Sequence, residues 1–123
     1  MTKILLVDDE RSIRQAIRFE LEDEGFNVID VCNYDEALSA YSAFKCDLII
    51  SDIFIEKGNG VQLINRVKDV PFIAMTAFPE SSLGIKARSL LKDRFIEKPF
   101  SMKLLISKVH ETISSHYEYA SAV

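Results

Sequence analysis

Carboxylates, a hydroxyl and an ammonium recur in this chain at one kind of place, the end of a short apolar run. Leu5-Leu6-Val7 stops at Asp8-Asp9, Leu48-Ile49-Ile50 leads through Ser51 to Asp52, Phe72-Ile73-Ala74-Met75 stops at Thr76, and Phe95-Ile96 leads to Lys98-Pro99. In an open parallel α/β sheet, ligands bind in the crevice outside the carboxyl ends of the strands, so residues far apart in sequence converge there. Three carboxylates meeting in one cleft offer hard oxygen ligands suited to Mg²⁺, and the lone lysine suits an anion carried beside the metal. Each residue also has an ordinary reading. Asp8-Asp9-Glu10 ahead of a helix is a solvated N-terminal cap, Asp52 caps a loop, Thr76 is a strand-end hydroxyl, and Lys98 snorkels at the surface. Their joint occurrence at matching run ends is what points to one site that handles a phosphoryl group.

A parallel sheet is what must position them. Apolar, β-branched runs of about five residues alternate with stretches of helical spacing, the signature of βαβ units. Strands are expected at residues 3–7, 27–31, 47–51, 72–75 and 94–97. The first helix, over 11–24, carries Ile13, Ala16, Ile17 and Leu21 on one face and stops at Gly25. Asn33 or Asp35 caps the second, with Ala37, Leu38 and Tyr41 inward. Gly58 and Gly60 open the third, which contains Val61, Leu63, Ile64 and Val67 and cannot continue through Val70-Pro71. The fourth follows Pro79 with Leu83, Ala87, Leu90 and Leu91, and Gly84 weakens it by about 1 kcal/mol relative to Ala. The last begins at a Ser101 cap and runs Met102, Leu105, Ile106, Val109, Ile113; from Ser114 to Val123 the apolar period is lost and fraying is expected.

Composition bounds the function classes. At 123 residues and 48% hydrophobic, the chain suits one domain with a real core. A net charge of -4 without a basic stripe argues against direct nucleic-acid binding. The apolar stretch at the N-terminus is too short for a signal peptide and no run reaches membrane-spanning length, so a cytoplasmic protein without membrane contact is expected. Cys32 and Cys46 have no CxxC spacing and are expected to be reduced packing residues in apolar surroundings. His110 and His116, six apart on a helix, do not share a face as a metal pair would.

The ordered set Leu5-Leu6-Val7-Asp8-Asp9-Glu10, Asp52 after Asp47-Leu48-Ile49-Ile50-Ser51, Gly60, Thr76-Ala77 and Lys98-Pro99-Phe100 resembles the receiver domain of bacterial two-component response regulators, from about residue 3 to residue 113. The resemblance implies a flavodoxin-like (βα)5 doubly wound sheet in the order 2-1-3-4-5, with two helices on one face and three on the other. It implies a receiver domain over 1–116 and a frayed tail or start of a linker over 117–123. It implies that Asp52 accepts phosphate from a sensor histidine kinase or a histidine phosphotransfer protein. Asp8 and Asp9 would hold Mg²⁺ with Asp52 and the backbone carbonyl of Phe54, Lys98 would contact the phosphoryl oxygens, and Thr76 would follow them. Phe95, three residues before the lysine, takes the switch position. Such a protein would signal to a downstream effector protein or output domain, as a stand-alone module or as part of a longer regulator, and catalyse only its own phosphorylation and dephosphorylation.

The residue types suit that chemistry. A carboxylate attacks a phosphoramidate without a base, because it has no proton to lose. Transfer is mostly positioning and charge neutralisation. Three carboxylates this close repel by several kcal/mol at an effective dielectric of about 20, so one pKa should rise without metal. A receiver used as an unphosphorylated docking surface is the alternative, and the intact acidic set argues against it. A haloacid-dehalogenase-like phosphatase would need a second aspartate where Phe54 stands, and a flavodoxin would need a phosphate loop after the first strand. Two departures from the family pattern stand out. Glu56 follows Ile55 where proline is usual, which predicts a looser loop or a different edge for the kinase. Leu91-Lys92 replaces Gly-Ala, which removes the glycine expected after the fourth helix.

Overall fold

Strands and helices alternate strictly along the chain: β1 (Lys3–Val7), α1 (Arg11–Asp23), β2 (Asn27–Val31), α2 (Tyr34–Ala43), β3 (Leu48–Asp52), α3 (Gly60–Arg66), β4 (Phe72–Thr76), α4 (Ser82–Leu91), β5 (Phe95–Glu97) and α5 (Met102–Ala122). The computed structural model describes residues 2–122, with side chains described through Tyr117. All strand pairs are parallel and the order is β2-β1-β3-β4-β5, the flavodoxin-like arrangement. Two strands end one residue later than expected, so Asp52 and Thr76 are the last residues of β3 and β4. That makes their backbones part of the sheet ladder rather than of a loop.

Side chains alternate across each strand and feed two cores. Ile4, Leu6, Leu48, Ile50, Ile73 and Met75 pack with Ile17 and Leu21 of α1 and Leu105 and Val109 of α5. Leu5, Val7, Ile49 and Ala74 pack on the other side with Ala37 of α2, Leu63 of α3 and Ala87 of α4. The layers are therefore two helices against three. Each of these fully buried Leu or Ile side chains contributes about 1.5–3 kcal/mol, and truncating Leu6 or Ile50 to Ala would cost about 2–5 kcal/mol.

Local chemistry sets the helix starts. Asn33, not Asp35, caps α2 by accepting from Glu36 N at 2.9 Å. Asn59 caps α3 in a reciprocal box with Gln62. Gly60 then lies so close to β3 that a Cβ would meet Ile53 Cα at 2.7 Å and Asp52 O at 3.0 Å. Gly84 is similar: it occupies the first turn of α4, where a Cβ would meet Phe78 O at 2.5 Å. Its helix-propensity cost is exchanged for a close fit on the loop after Thr76.

The structure bears on four expectations. The loop after Asp52 is not loose: Ile55 is buried, and Glu56 O accepts from Tyr34 N at 3.0 Å. At the end of α4 the missing glycine is replaced by Lys92 itself at φ 58°, a region costing a side-chain-bearing residue about 1–3 kcal/mol. Cys32 does not sit among apolar groups; β2 is an edge strand, and the half-exposed thiol lies 3.5 Å from both Glu36 carboxylate oxygens. Cys46 is buried as expected, and burial pushes its thiol up to about 11. Finally, α5 does not fray at Ser114 but continues to Ala122, since no glycine or proline interrupts it and Tyr117 Oη donates to Asp47 O at 3.1 Å. Residues 117–122, expected to be a frayed tail or the start of a linker, are helical, and Val123 lies outside the described residues.

Candidate functional site

Parallel strands in this order bring the carboxyl ends of β1, β3, β4 and β5 to one edge of the sheet. Asp8 follows β1 and is fully buried; its backbone N donates to Val31 O at 3.2 Å, and its Oδ1 accepts from Glu10 N at 2.9 Å. Asp52 closes β3, and its Oδ1 accepts from Phe54 N at 3.0 Å. Lys98, one residue past β5, reaches back between them. Its Nζ donates to Asp8 Oδ2 and to Asp52 Oδ2, each at 2.7 Å. Asp9 is exposed beside them, and one oxygen from each of Asp8, Asp9 and Asp52 lies within 4.8 Å of the others.

The cluster carries three acids against one ammonium. Burial pushes the Asp52 carboxyl above its ordinary range; Lys98 pulls it back only in part, and Asp8 adds a smaller upward push. The rise expected from repulsion is present, but desolvation is its larger cause. Burial also works against the Lys98 ammonium, yet its bonds to Asp52 and Asp8 outweigh this and hold it above its ordinary value. The three carboxylates meet the donor requirement of a hard divalent cation, oxygen ligands converging on one point.

Thr76 is fully buried, with Oγ1 accepting from Phe78 N at 3.0 Å. Phe95 is half-buried on β5, with the Arg88 guanidinium 5.2 Å from its ring centroid. Phe95 packs against the core cluster that holds Ala74 and Ala87. A cleft of about 850 Å³ opens over the cluster, lined by Asp9, Asp52, Lys98, Ala16, Phe54 and Phe78 among others. The last two rings meet edge to face, with centroids 5.5 Å apart at 87°. His110 and His116 stand outside this edge: His110 packs on Phe26 and His116 on Tyr117.

Sequence reasoning missed two neighbours of the site, Arg14 and Asp30. Arg14 Nε donates to Asp30 Oδ2 at 2.7 Å while its Nη1 donates to Asp8 O at 2.8 Å, and Arg18 Nη1 pairs with Asp30 Oδ1. The signal was an aspartate interrupting the apolar run Val28-Ile29-Asp30-Val31. Ser51 was also unassigned; its buried Oγ donates to Asp52 O at 2.7 Å.

Comparison with known proteins agrees with this geometry. The sequence matches the response regulator receiver domain model over residues 4–110. It is 33% identical over 113 residues to the phosphate regulon transcriptional regulatory protein PhoB of Escherichia coli, covering 87% of this chain and 49% of that protein. It is 31% identical over 123 residues to the response regulator SaeR of Staphylococcus aureus, covering 97% and 54% respectively. The solved structure of the chemotaxis response regulator CheY4 of Vibrio cholerae superposes with a TM-score of 0.77 at 28% identity, covering 91% of this chain and 98% of that one. The chain spans about half the length of the curated relatives it matches.

Proposed function

The chain belongs to the response regulator receiver domain family, and on that footing we propose that Asp52 accepts a phosphoryl group from a histidine kinase or histidine phosphotransfer protein. The observation that carries this is the Lys98 ammonium shared at 2.7 Å between Asp8 and Asp52, with Asp9 alongside. Asp8, Asp9 and Asp52, with the Phe54 backbone carbonyl, would hold Mg²⁺. When bound, the ion supplies charge neutralisation for phosphoryl oxygens.

The protein's own groups do the rest. An Asp52 oxygen attacks phosphorus as the bond to the donor imidazole nitrogen breaks; the nitrogen keeps the bonding pair, and the aspartyl phosphate remains. Glu10 N and Phe54 N fix the carboxylates before reaction, so little reorganisation is needed. Lys98 can follow a phosphoryl oxygen, because its ammonium already lies against Asp52. The Thr76 hydroxyl, now bonded to Phe78 N, can turn toward the new acceptor oxygens.

Incubation with acetyl phosphate or phosphoramidate and Mg²⁺ should add one phosphoryl group by intact mass, and Asp52→Asn should abolish it. Labelling that survives the substitution or excess chelator would overturn the mechanism. The signal would leave through α4, β5 and α5, where Arg88 stacks on Phe95 and approaches Glu97 at 3.9 Å. With a beryllofluoride mimic, amide hydrogen exchange should change on those elements by population shift. Changes confined to the loops around Asp52 would exclude that switch. No helix among the described residues is long and apolar enough to cross a membrane, which suits a cytoplasmic signalling module acting on an effector or output domain.

A further inference from the structure

Of the three clustered carboxylates, two are fixed by hydrogen bonds and one is not. Asp8 accepts from Glu10 N and Lys98 Nζ, and Asp52 from Phe54 N and Lys98 Nζ. The Asp9 carboxylate is exposed and has no such partner among the described residues. With no partner to hold it, its placement depends on the main chain, where the peptide plane joining Asp8 to Asp9 sets the direction of the Asp9 Cα–Cβ bond.

The carbonyl of that peptide lies outside the helix ladder, since the first α1 bond runs from Arg14 N to Glu10 O at 3.0 Å. Arg14 supplies the missing donor. Its Nη1 holds Asp8 O at 2.8 Å while its Nε is anchored on Asp30 Oδ2 at 2.7 Å. Both side chains are largely buried, 15% and 16% exposed, and Asp30 is fixed by the register that sets it beside Leu6 of β1. A guanidinium spans these two acceptors with donors in a rigid plane, which a lysine ammonium cannot do.

We propose that Arg14 is a positioning residue for the divalent cation: anchored on Asp30, it pins the Asp8–Asp9 peptide and thereby aims the Asp9 carboxylate at the ion. This rests on the reading of Asp8, Asp9 and Asp52 as its ligands. The competing role is structural support alone, and Arg18 separates the two. Arg18 also pairs with Asp30, but it makes no bond to the Asp8 carbonyl.

The test uses the full chain, with Mn²⁺ binding followed by electron paramagnetic resonance and amide NMR of the metal-free protein. Arg14→Met should fold, because Asp30 keeps Arg18. It should bind Mn²⁺ about tenfold more weakly, the usual loss when a support behind metal ligands is removed. Arg18→Met should bind as wild type does. Without metal, the Asp9 amide resonance should move in the Arg14 variant and stay in the Arg18 variant. Wild-type affinity in Arg14→Met, equal loss in Arg18→Met, or an unmoved Asp9 resonance would each overturn the proposal while leaving the metal site standing. Failure of the wild-type protein to bind Mn²⁺ would instead overturn the metal reading, and this proposal with it.

Discussion

Two charge clusters flank β1 with opposite balance. On the β3 side one ammonium, Lys98, is shared by Asp8 and Asp52 with Asp9 nearby; on the β2 side one carboxylate, Asp30, is shared by Arg14 and Arg18. Burial pushes both Asp30 and Asp52 upward. At Asp30 the two guanidinium groups outweigh it and hold the carboxyl below its ordinary range. At Asp52 the single shared ammonium does not. A fold can satisfy a buried acid by surplus cation from its own side chains, as at Asp30. Where it leaves a cation deficit in a cleft, the deficit is room for a ligand of the missing charge.

The comparison breaks most sharply if the cations are removed one at a time. Lys98→Met strips the buried acids of their one cationic partner among the described residues and should cost about 3–5 kcal/mol without divalent metal. Added Mg²⁺ should restore much of it, by binding only the folded state. Arg18→Met leaves Asp30 its bond to Arg14, and its 40% exposed side chain is screened, so about 1 kcal/mol is expected. Urea unfolding with chelator and with Mg²⁺ measures both. Equal losses, or no Mg²⁺ rescue of the lysine variant, would mean the two clusters do not differ in kind.

The deficient cluster is also the one with aromatic rings at its mouth. Phe54 is 37% exposed and Phe78 is 62% exposed, and they meet edge to face beside the cleft. Phenyl rings offer no hydrogen bond to orient a water in line with an acyl phosphate, so slow autodephosphorylation is expected. Replacing Phe54 with Asn and Phe78 with Glu should speed phosphate loss about tenfold or more, equivalent to about 1.4 kcal/mol. Decay of phosphorylated protein under excess Mg²⁺ decides it; unchanged lifetimes would show that the rings do not control access.

What could be read from sequence follows the range of the interactions involved. The sheet, its order and the strand-end residues Asp8, Asp9, Asp52, Thr76 and Lys98 were legible, because apolar period and turn residues are local signals and the ordered motifs match a known family. The bridge from Arg14 across β2 to Asp30 and back to the Asp8 carbonyl was not. It joins residues 16 apart through a side chain whose spacing on α1 reads as an ordinary polar position. The continuation of α5 past Ser114 was missed for a related reason. Its apolar period ends there, but an aromatic hydroxyl anchored on Asp47, 70 residues away, ties that stretch to the sheet. Lys92 at φ 58° shows the limit of the glycine rule, since a lysine takes the positive φ in the turn that Arg94 N closes on Leu91 O.

The smallest effect, and the most direct test of the contrast, lies in the sign of a pH dependence. Asp30 has a folded pKa below its unfolded value near about 4, so its ionisation favours folding. That contribution is present above pH of about 4 and is lost as pH falls through the lower folded value. Asp30→Asn should therefore cost about 1 kcal/mol at neutral pH, with the loss shrinking in acid. Asp52 has a folded pKa above its unfolded value, so the contribution runs the other way. It is fully present below pH of about 4 and lost as pH rises through the raised folded value. Asp52→Asn carries no such titration, so in metal-free buffer its stability relative to wild type should rise as pH climbs above about 4, whereas the Asp30 variant's falls as pH climbs toward about 4 from below. Unfolding measured from pH 3 to pH 7 in chelator gives two difference curves. If they slope in the same direction, the charge balance assigned to one cluster is wrong. If they diverge and Mg²⁺ reverses the Asp52 curve alone, wild type then being the more stable, the cation deficit at Asp52 is what the metal relieves.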